Sequence, residues 1–214
     1  MMAVVSIMTC KICEKRRPRR SCPGVSGEIC SLCCGTEREN SIACPLDCPY
    51  LQEARIHEKP PEIDPETIPN LDIRITDEFL RSQEPLLAVA MREFAAGVNV
   101  PGVVDFDVRE ALDSLVRTYR TRQSGLYYED RPANLLAAGI HDRVQQGLEQ
   151  FRQAVAERSG IHSIRDADIL GVLVFLQRLE YRLNNGRKRG RAFLDFLSRQ
   201  PAFGEERRSP LALP

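Results

Sequence analysis

The apolar residues follow a helical period in the second part of the chain but not in the first. From about residue 77 to residue 200, apolar positions recur three and four residues apart, which predicts amphipathic helices packed as an all-α bundle. The clearest stripe runs from Val108 to Tyr119. The run Ile169–Leu176 is apolar nearly all round, which predicts the central helix. Glycines and prolines divide this part into about five helices, followed by a polar tail over 201–214 that we expect to be flexible.

A proline-rich segment, 59–76, precedes the helices. Its prolines exclude a helix and predict an extended, semi-rigid linker. Leu71, Ile73 and Ile75 alternate with polar residues, which predicts a short strand or an extended segment packed on one of the domains. The predicted organisation is a cysteine-rich module over 1–58, this linker, a helical bundle over 77–200 and the tail.

Composition and charge exclude several classes of protein. Hydrophobic residues make up 43% of the chain and charged residues 28%, which is ordinary globular usage and excludes a wholly disordered protein. The 30 basic and 30 acidic residues cancel, so no net charge favours nucleic acid or an anionic membrane. No apolar run approaches the length of about 18 residues that crosses a bilayer, so no membrane partner is expected.

All 8 cysteines lie between Cys10 and Cys48, which concentrates the candidate chemistry in the first module. An even cysteine count is also typical of small disulfide-bonded proteins. Metal binding is favoured here because Cys10 and Cys13, and again Cys30 and Cys33, have the two-residue spacing of metal knuckles. We also expect no secretory signal in the short stretch before Cys10.

Eight thiolates can close two tetrahedral sites, so we predict two zinc ions. The adjacent cysteines Cys33 and Cys34 would point to opposite sides of an extended chain and therefore suit different ions. The preferred assignment gives the first site Cys10, Cys13, Cys30 and Cys33, and the second site Cys22, Cys34, Cys44 and Cys48.

A helix that begins at Pro45 would place Cys44 and Cys48 on one side of its first turn, where the helix dipole favours thiolate. A knuckle followed by a helix N-terminus is the ligand plan of treble-clef zinc fingers. This helix would extend to His57, which we interpret as a surface or capping residue rather than a ligand. The fold class expected is thus mainly α, with a small treble-clef-like double-zinc module.

Iron–sulfur chemistry is the main alternative, because sets of four thiolates also hold clusters. The Cys33-Cys34-Gly35 sequence is similar to the CCG signature of heterodisulfide reductases, but the next cysteine follows too closely. An iron–sulfur redox or sensing protein therefore stays as the second hypothesis.

An arginine-rich run lies between the first cysteines. The simplest interpretation is that its arginines offset thiolate charge. The alternatives are a nucleic-acid-binding regulator and a surface for acidic proteins; the run contains no aromatic residue for base stacking, so a protein partner is favoured over nucleic acid. The run comprises Arg16, Arg17, Arg19 and Arg20.

The helical part offers a second candidate recognition segment, which combines Tyr119, Tyr127 and Tyr128 with several arginines. The favoured alternative is that these tyrosines pack one helix onto the next. His141 is expected on a helix surface. The basic residues of 182–191 are expected to cap a helix C-terminus. No sequence motif for catalysis is recognised, so an enzyme is not favoured.

The run Ile29–Glu39, followed by Cys44–Leu51, resembles the N-terminal segment of a group of uncharacterised bacterial proteins, in which a helical domain follows. The CCG and CPxDC elements carry this resemblance, which implies a metal-binding protein without a known reaction. Together these observations predict a cytoplasmic zinc-binding interaction or adaptor protein.

Overall fold

The computed structural model describes residues 9–59, 62–126, 128–160 and 164–200. These residues form two compact units. One unit contains the cysteine-rich segment together with Asn185–Arg191, and the other contains the remaining described residues. Each unit is described separately below.

The cysteine-rich unit combines a hairpin with two short helices. Its strands β1 (Arg20–Cys22) and β2 (Gly27–Ile29) are antiparallel. Helix α1 spans Ser31–Glu37 and α2 spans Pro49–His57. The expected helix start at Pro45 is wrong, because Cys44 and Pro45 lie outside the helix.

Few large side chains fill the interior of this unit. Ile29, Ile42 and Leu51 are its buried aliphatic side chains among the residues that the structure describes. The rest of the buried cluster consists largely of cysteines, namely Cys10, Cys30, Cys33 and Cys34. The interior of this unit is therefore built around sulfur rather than around hydrocarbon.

The second unit is helical, as its apolar periodicity predicts. Pro85 lies in the first turn of a helix, where its missing N–H costs no hydrogen bond, and a separate short helix precedes it. The helices are α3 (Asp77–Ser82), α4 (Glu84–Ala95), α5 (Asp105–Gln123), α6 (Leu135–Ser159), α7 (Asp166–Leu183) and α8 (Ala192–Ser198).

Helix α7 is the central helix, and it packs against α4, α5 and α8. Ile169, Leu173 and Leu176 are fully buried within it, which confirms the prediction from its all-round apolar sequence. Among the described residues, no helix has both the length and the apolarity needed to cross a membrane.

The first turn of α5 is stabilised by one of its own carboxylates. The helix begins at Asp105, and the Asp107 carboxylate accepts a hydrogen bond from the N–H of Val104 (2.8 Å). The side chain of Asp107 thus reaches back to the residue before the helix, as the third residue of a capping box does.

The extended segment after the prolines packs on the helical unit without forming a strand. The Arg178 guanidinium on α7 donates hydrogen bonds to the carbonyl groups of Pro69, Asn70 and Ile73. Ile73 and Ile75 contact the hydrophobic core. The docking of this segment therefore depends on one half-buried arginine as well as on its apolar face.

Candidate metal centre

Four cysteine sulfurs lie together in the first unit, all within 4.8 Å of one another. They belong to Cys10, Cys13, Cys30 and Cys33, the residues that the knuckle spacing assigned to the first site. In a tetrahedral zinc site with Zn–S bonds of about 2.3 Å, the sulfurs are about 3.8 Å apart. Small side-chain adjustments would bring this set to that geometry, so the group can bind a metal ion.

Two turns place these sulfurs. Cys10 and Cys13 flank a tight turn in which the N–H of Glu14 donates to the Cys10 carbonyl (2.8 Å). Cys30 is the N-cap of α1 and Cys33 lies in its first turn, with the Cys33 N–H bonded to the Cys30 sulfur (3.4 Å). The hairpin β1–β2 lies between the two turns along the chain, so it connects the two halves of the site.

The backbone after Cys13 directs its N–H groups toward the Cys13 sulfur. Glu14 has a left-handed backbone (φ 54°), which side chains other than glycine rarely adopt. The next two N–H groups, those of Lys15 and Arg16, donate to the Cys13 sulfur and lower the pKa of Cys13. Hydrogen bonds of this kind stabilise the thiolate form, which is the form that binds metal.

The pKa values of Cys10 and Cys33 move in opposite directions within one small volume. Burial alone would raise the pKa of Cys10, but N–H donors of Cys13, Cys30 and Ile12 outweigh it and lower the pKa to about 6. Burial and the neighbouring sulfurs instead raise the pKa of Cys33 to about 12. The Cys10 and Cys33 thiolates therefore form together only when a cation compensates their charge, and a metal ion held by this set would supply that cation.

The remaining four cysteines line one small cavity of about 10 Å³, roughly the space of one water-sized sphere. They are Cys22, Cys34, Cys44 and Cys48. Among the residues that the structure describes, only the first set brings its four sulfurs within 4.8 Å of one another. The sulfurs of the second set surround one cavity but lie farther apart than those of the first set.

Cys33 and Cys34 belong to different sets, but not for the reason expected. They lie in helix α1 rather than in an extended segment. Consecutive helical residues point about 100° apart, and this separation directs Cys33 to the first set and Cys34 to the second cavity.

Two residues of the arginine-rich run contact cysteine sulfurs. Arg20 donates to the Cys34 sulfur (Nη1 to Sγ 3.2 Å) and lies over the Tyr50 ring, 4.6 Å from its centroid. Arg16 reaches the Cys13 sulfur at 3.9 Å. These contacts agree with charge compensation for Arg16 and Arg20, one at each set of cysteines.

The other two arginines of the run behave differently. Arg17 and Arg19 are exposed, and within the described part of the chain their side chains have no hydrogen-bond or ion-pair partner. Charge compensation by direct contact thus applies to half of the run.

Glu39 is a buried carboxylate that the sequence pattern does not reveal. Its side chain is 1% exposed and accepts hydrogen bonds from Arg55 (2.8 Å), Asn185 (2.8 Å) and the N–H of Arg191 (3.2 Å). Burial raises the pKa of Cys44, whereas the Glu39 N–H donates to the Cys44 thiol and acts in the opposite direction. Glu39 therefore connects the second set of cysteines to Asn185–Arg191.

The basic residues of 182–191 were expected to cap a helix, but Arg187 has another role. Helix α7 ends at Leu183, and Arg187 binds the Arg38 carbonyl (3.0 Å) and the Glu58 carboxylate (2.7 Å). These contacts lie within the cysteine-rich unit. A separation of 129 residues between Arg187 and Glu58 explains why local pattern does not predict the pairing.

The tyrosine segment of the helical unit is only partly exposed. Tyr119 is 1% exposed, so its ring packs in the core, which agrees with the packing interpretation and removes Tyr119 from the candidate recognition residues. Tyr128 is exposed, and Tyr127 lies outside the described residues. His141 is also buried rather than on the surface, and its Nδ1 lies 3.2 Å from an Asp142 carboxylate oxygen.

Comparisons with known proteins add no relative. No family model, no curated protein and no solved structure matches the chain. The resemblance to uncharacterised bacterial proteins therefore stays an expectation based on the CCG and CPxDC elements.

Proposed function

We propose that the protein is a zinc-binding interaction protein whose two sets of cysteines each hold one ion. The observation that carries this proposal is the convergence of four sulfurs, from Cys10, Cys13, Cys30 and Cys33, within 4.8 Å. Four thiolate ligands saturate a tetrahedral zinc ion and leave no open position for a substrate or water. Such closed sites are structural, which favours an interaction role over catalysis.

The order of elements supports a treble-clef arrangement for the first site. A knuckle at Cys10–Cys13 is followed by the β1–β2 hairpin and then by α1, whose N-terminus contributes Cys30 and Cys33. This is the same plan as expected, but it is built on α1 instead of α2. The helix N-terminus adds N–H groups that favour thiolate.

Two observations support the second site. The cavity lined by Cys22, Cys34, Cys44 and Cys48 has the size of a single ion or water molecule. The positively charged guanidinium of Arg20 donates a hydrogen bond to the Cys34 sulfur. A four-thiolate zinc site carries two negative charges, so a guanidinium at hydrogen-bond distance stabilises it.

Elemental analysis of the purified chain tests the proposal. We expect two zinc ions per chain and a colourless solution, whereas an iron–sulfur protein would be brown with visible absorption. The matched variants Cys10→Ser and Cys44→Ser should each lose one ion and retain the other. A chain with oxidised cysteine pairs and no metal would overturn the proposal.

A further inference from the structure

The zero net charge of the chain conceals an uneven distribution between the two units. The described residues of the cysteine-rich unit, 9–59 and 185–191, contain 13 basic and 7 acidic residues, so their formal charge is +6. The rest of the chain has 17 basic and 23 acidic residues, a formal charge of −6. The zero net charge of the whole chain therefore does not exclude a polyanionic partner for this unit.

The positive charge of the unit lies at its surface. Its exposed residues include eight that are basic but only three that are acidic, which are Glu14, Asp47 and Glu53. Two four-thiolate zinc sites would bring the formal charge to about +2. The thiolates, however, are buried or half-buried, whereas these basic side chains are in contact with solvent.

Asn185–Arg191 contributes a rigid turn to that surface. The N–H of Gly190 donates to the Arg187 carbonyl (2.9 Å), which closes a β-turn with Lys188 and Arg189 at its two central positions. The Asn185 side chain accepts from the N–H of Arg187 (3.1 Å), as in an Asx turn. A side chain at Gly190 would collide with Asn185, since a Cβ there would lie 2.5 Å from Oδ1.

The base of the turn is fixed and its tip is free. Glu39 holds the base through the N–H of Arg189, which donates to the Glu39 carbonyl (2.7 Å), and through its carboxylate contacts with Asn185 and Arg191. The side chains of Lys188 and Arg189 are exposed and form no hydrogen bond or ion pair in the described part of the chain. A turn held in this way presents two cations at little conformational cost.

Exposed cations without partners occur at a second place in the same unit. Arg17 and Arg19 are exposed next to β1, between the arginines that contact sulfur. The only aromatic residue of the unit, Tyr50, is already covered by Arg20. The unit thus offers cations for phosphate groups but no free ring on which a base would stack.

We propose that the cysteine-rich unit binds the phosphate backbone of duplex nucleic acid through Lys188, Arg189, Arg17 and Arg19. This inference names a partner for the interaction role and rests on the proposed metal-stabilised fold. Phosphate contacts position a protein on a duplex without reading its sequence. Binding is therefore expected to depend weakly on sequence and strongly on salt.

The test measures the binding of the full-length chain to a fluorescent DNA duplex at several salt concentrations. Each phosphate contact contributes about fivefold to affinity at about 0.15 M salt, so Lys188→Gln with Arg189→Gln should weaken binding by about 25-fold. The same pair should make the slope of log K against log salt less steep by about 2. Arg17→Gln with Arg19→Gln should have a similar effect.

A matched control removes two exposed arginines of the helical unit, through Arg74→Gln with Arg81→Gln. It changes the net charge equally and should leave binding within about twofold of the unchanged chain, because neither arginine lies in the proposed surface. An equal loss in the control would show that only total charge matters and would overturn the proposal. Polyglutamate that competes with the duplex at equal charge concentration would also overturn it in favour of an acidic protein partner.

Metal content is measured on the same samples. A chain that holds its metal but shows no salt-dependent DNA binding overturns this inference alone. A chain without metal overturns the proposed function and, because the inference rests on the metal-stabilised fold, overturns the inference with it.

Discussion

The cysteine-rich unit has three buried aliphatic side chains among the described residues, whereas the helical unit buries apolar residues from helices α4 to α8 in one continuous core. The first unit relies on polar and sulfur contacts: two sets of cysteines, arginines on the sulfurs and the buried carboxylate of Glu39. A hydrophobic core of the size seen in the helical unit offsets chain entropy without a cofactor, but three aliphatic residues do not. The two units should therefore respond oppositely to metal removal and to core truncation.

The largest expected effect is that of metal removal. Chelation under reducing conditions should lower the unfolding free energy of the cysteine-rich unit by on the order of 10 kcal/mol and so unfold it. In hydrogen exchange of the full chain, amides of 10–58 and 185–191 should lose protection while those of α5 and α7 keep it. Loss of protection in α7 in step with metal removal would contradict separate stabilisation of the two units.

Truncation in the helical core should have the converse effect. Leu173 is fully buried on α7, and Leu173→Ala should lower the unfolding free energy of the helical unit by about 3 kcal/mol through the cavity it leaves. Leu135→Ala is the control, because Leu135 is 88% exposed and its truncation should cost less than about 0.5 kcal/mol. Urea unfolding monitored by helical circular dichroism measures both, and metal content should stay unchanged in each.

In the cysteine-rich unit, the buried Glu39 carboxylate allows a comparable test of a polar contact. Glu39→Gln removes the charge that pairs with Arg55 and should cost about 2–3 kcal/mol, less than for a fully buried pair because Arg55 is 15% exposed. In this variant we expect faster hydrogen exchange over 185–191 and unchanged exchange in α5. Unchanged exchange over 185–191 would show that Glu39 does not hold this segment.

A helix cap in the helical unit gives the smallest effect. The Thr76 hydroxyl accepts a hydrogen bond from the N–H of Phe79 at the start of α3 (3.1 Å). Thr76→Ala should lower the unfolding free energy of this unit by about 1 kcal/mol, whereas Thr76→Ser keeps the acceptor and should cost much less. Equal losses in the two variants would assign the effect to the methyl group instead of the cap.

Local sequence pattern was enough to predict the helices of the second unit and the first set of cysteines. Apolar residues at three- and four-residue spacing require one buried face, so α5 and the central helix α7 follow from local pattern. The spacing of Cys10 to Cys13 and of Cys30 to Cys33 brings two sulfurs to one side of a turn, which is again a local effect. The predicted start of α2 at Pro45 was wrong because the segment before Pro49 forms a turn instead of a helix.

Contacts between segments that are distant in the chain depend on the tertiary fold and could not be predicted from local pattern. Glu39 and Asn185 are 146 residues apart in the chain, and no periodicity relates a buried carboxylate to its partners. The same contacts place Lys188 and Arg189 with the arginine-rich run in a unit of charge +6, although the whole chain is neutral. Net charge is a sum over the sequence, but a partner responds to the local field, which depends on where folding brings each charge.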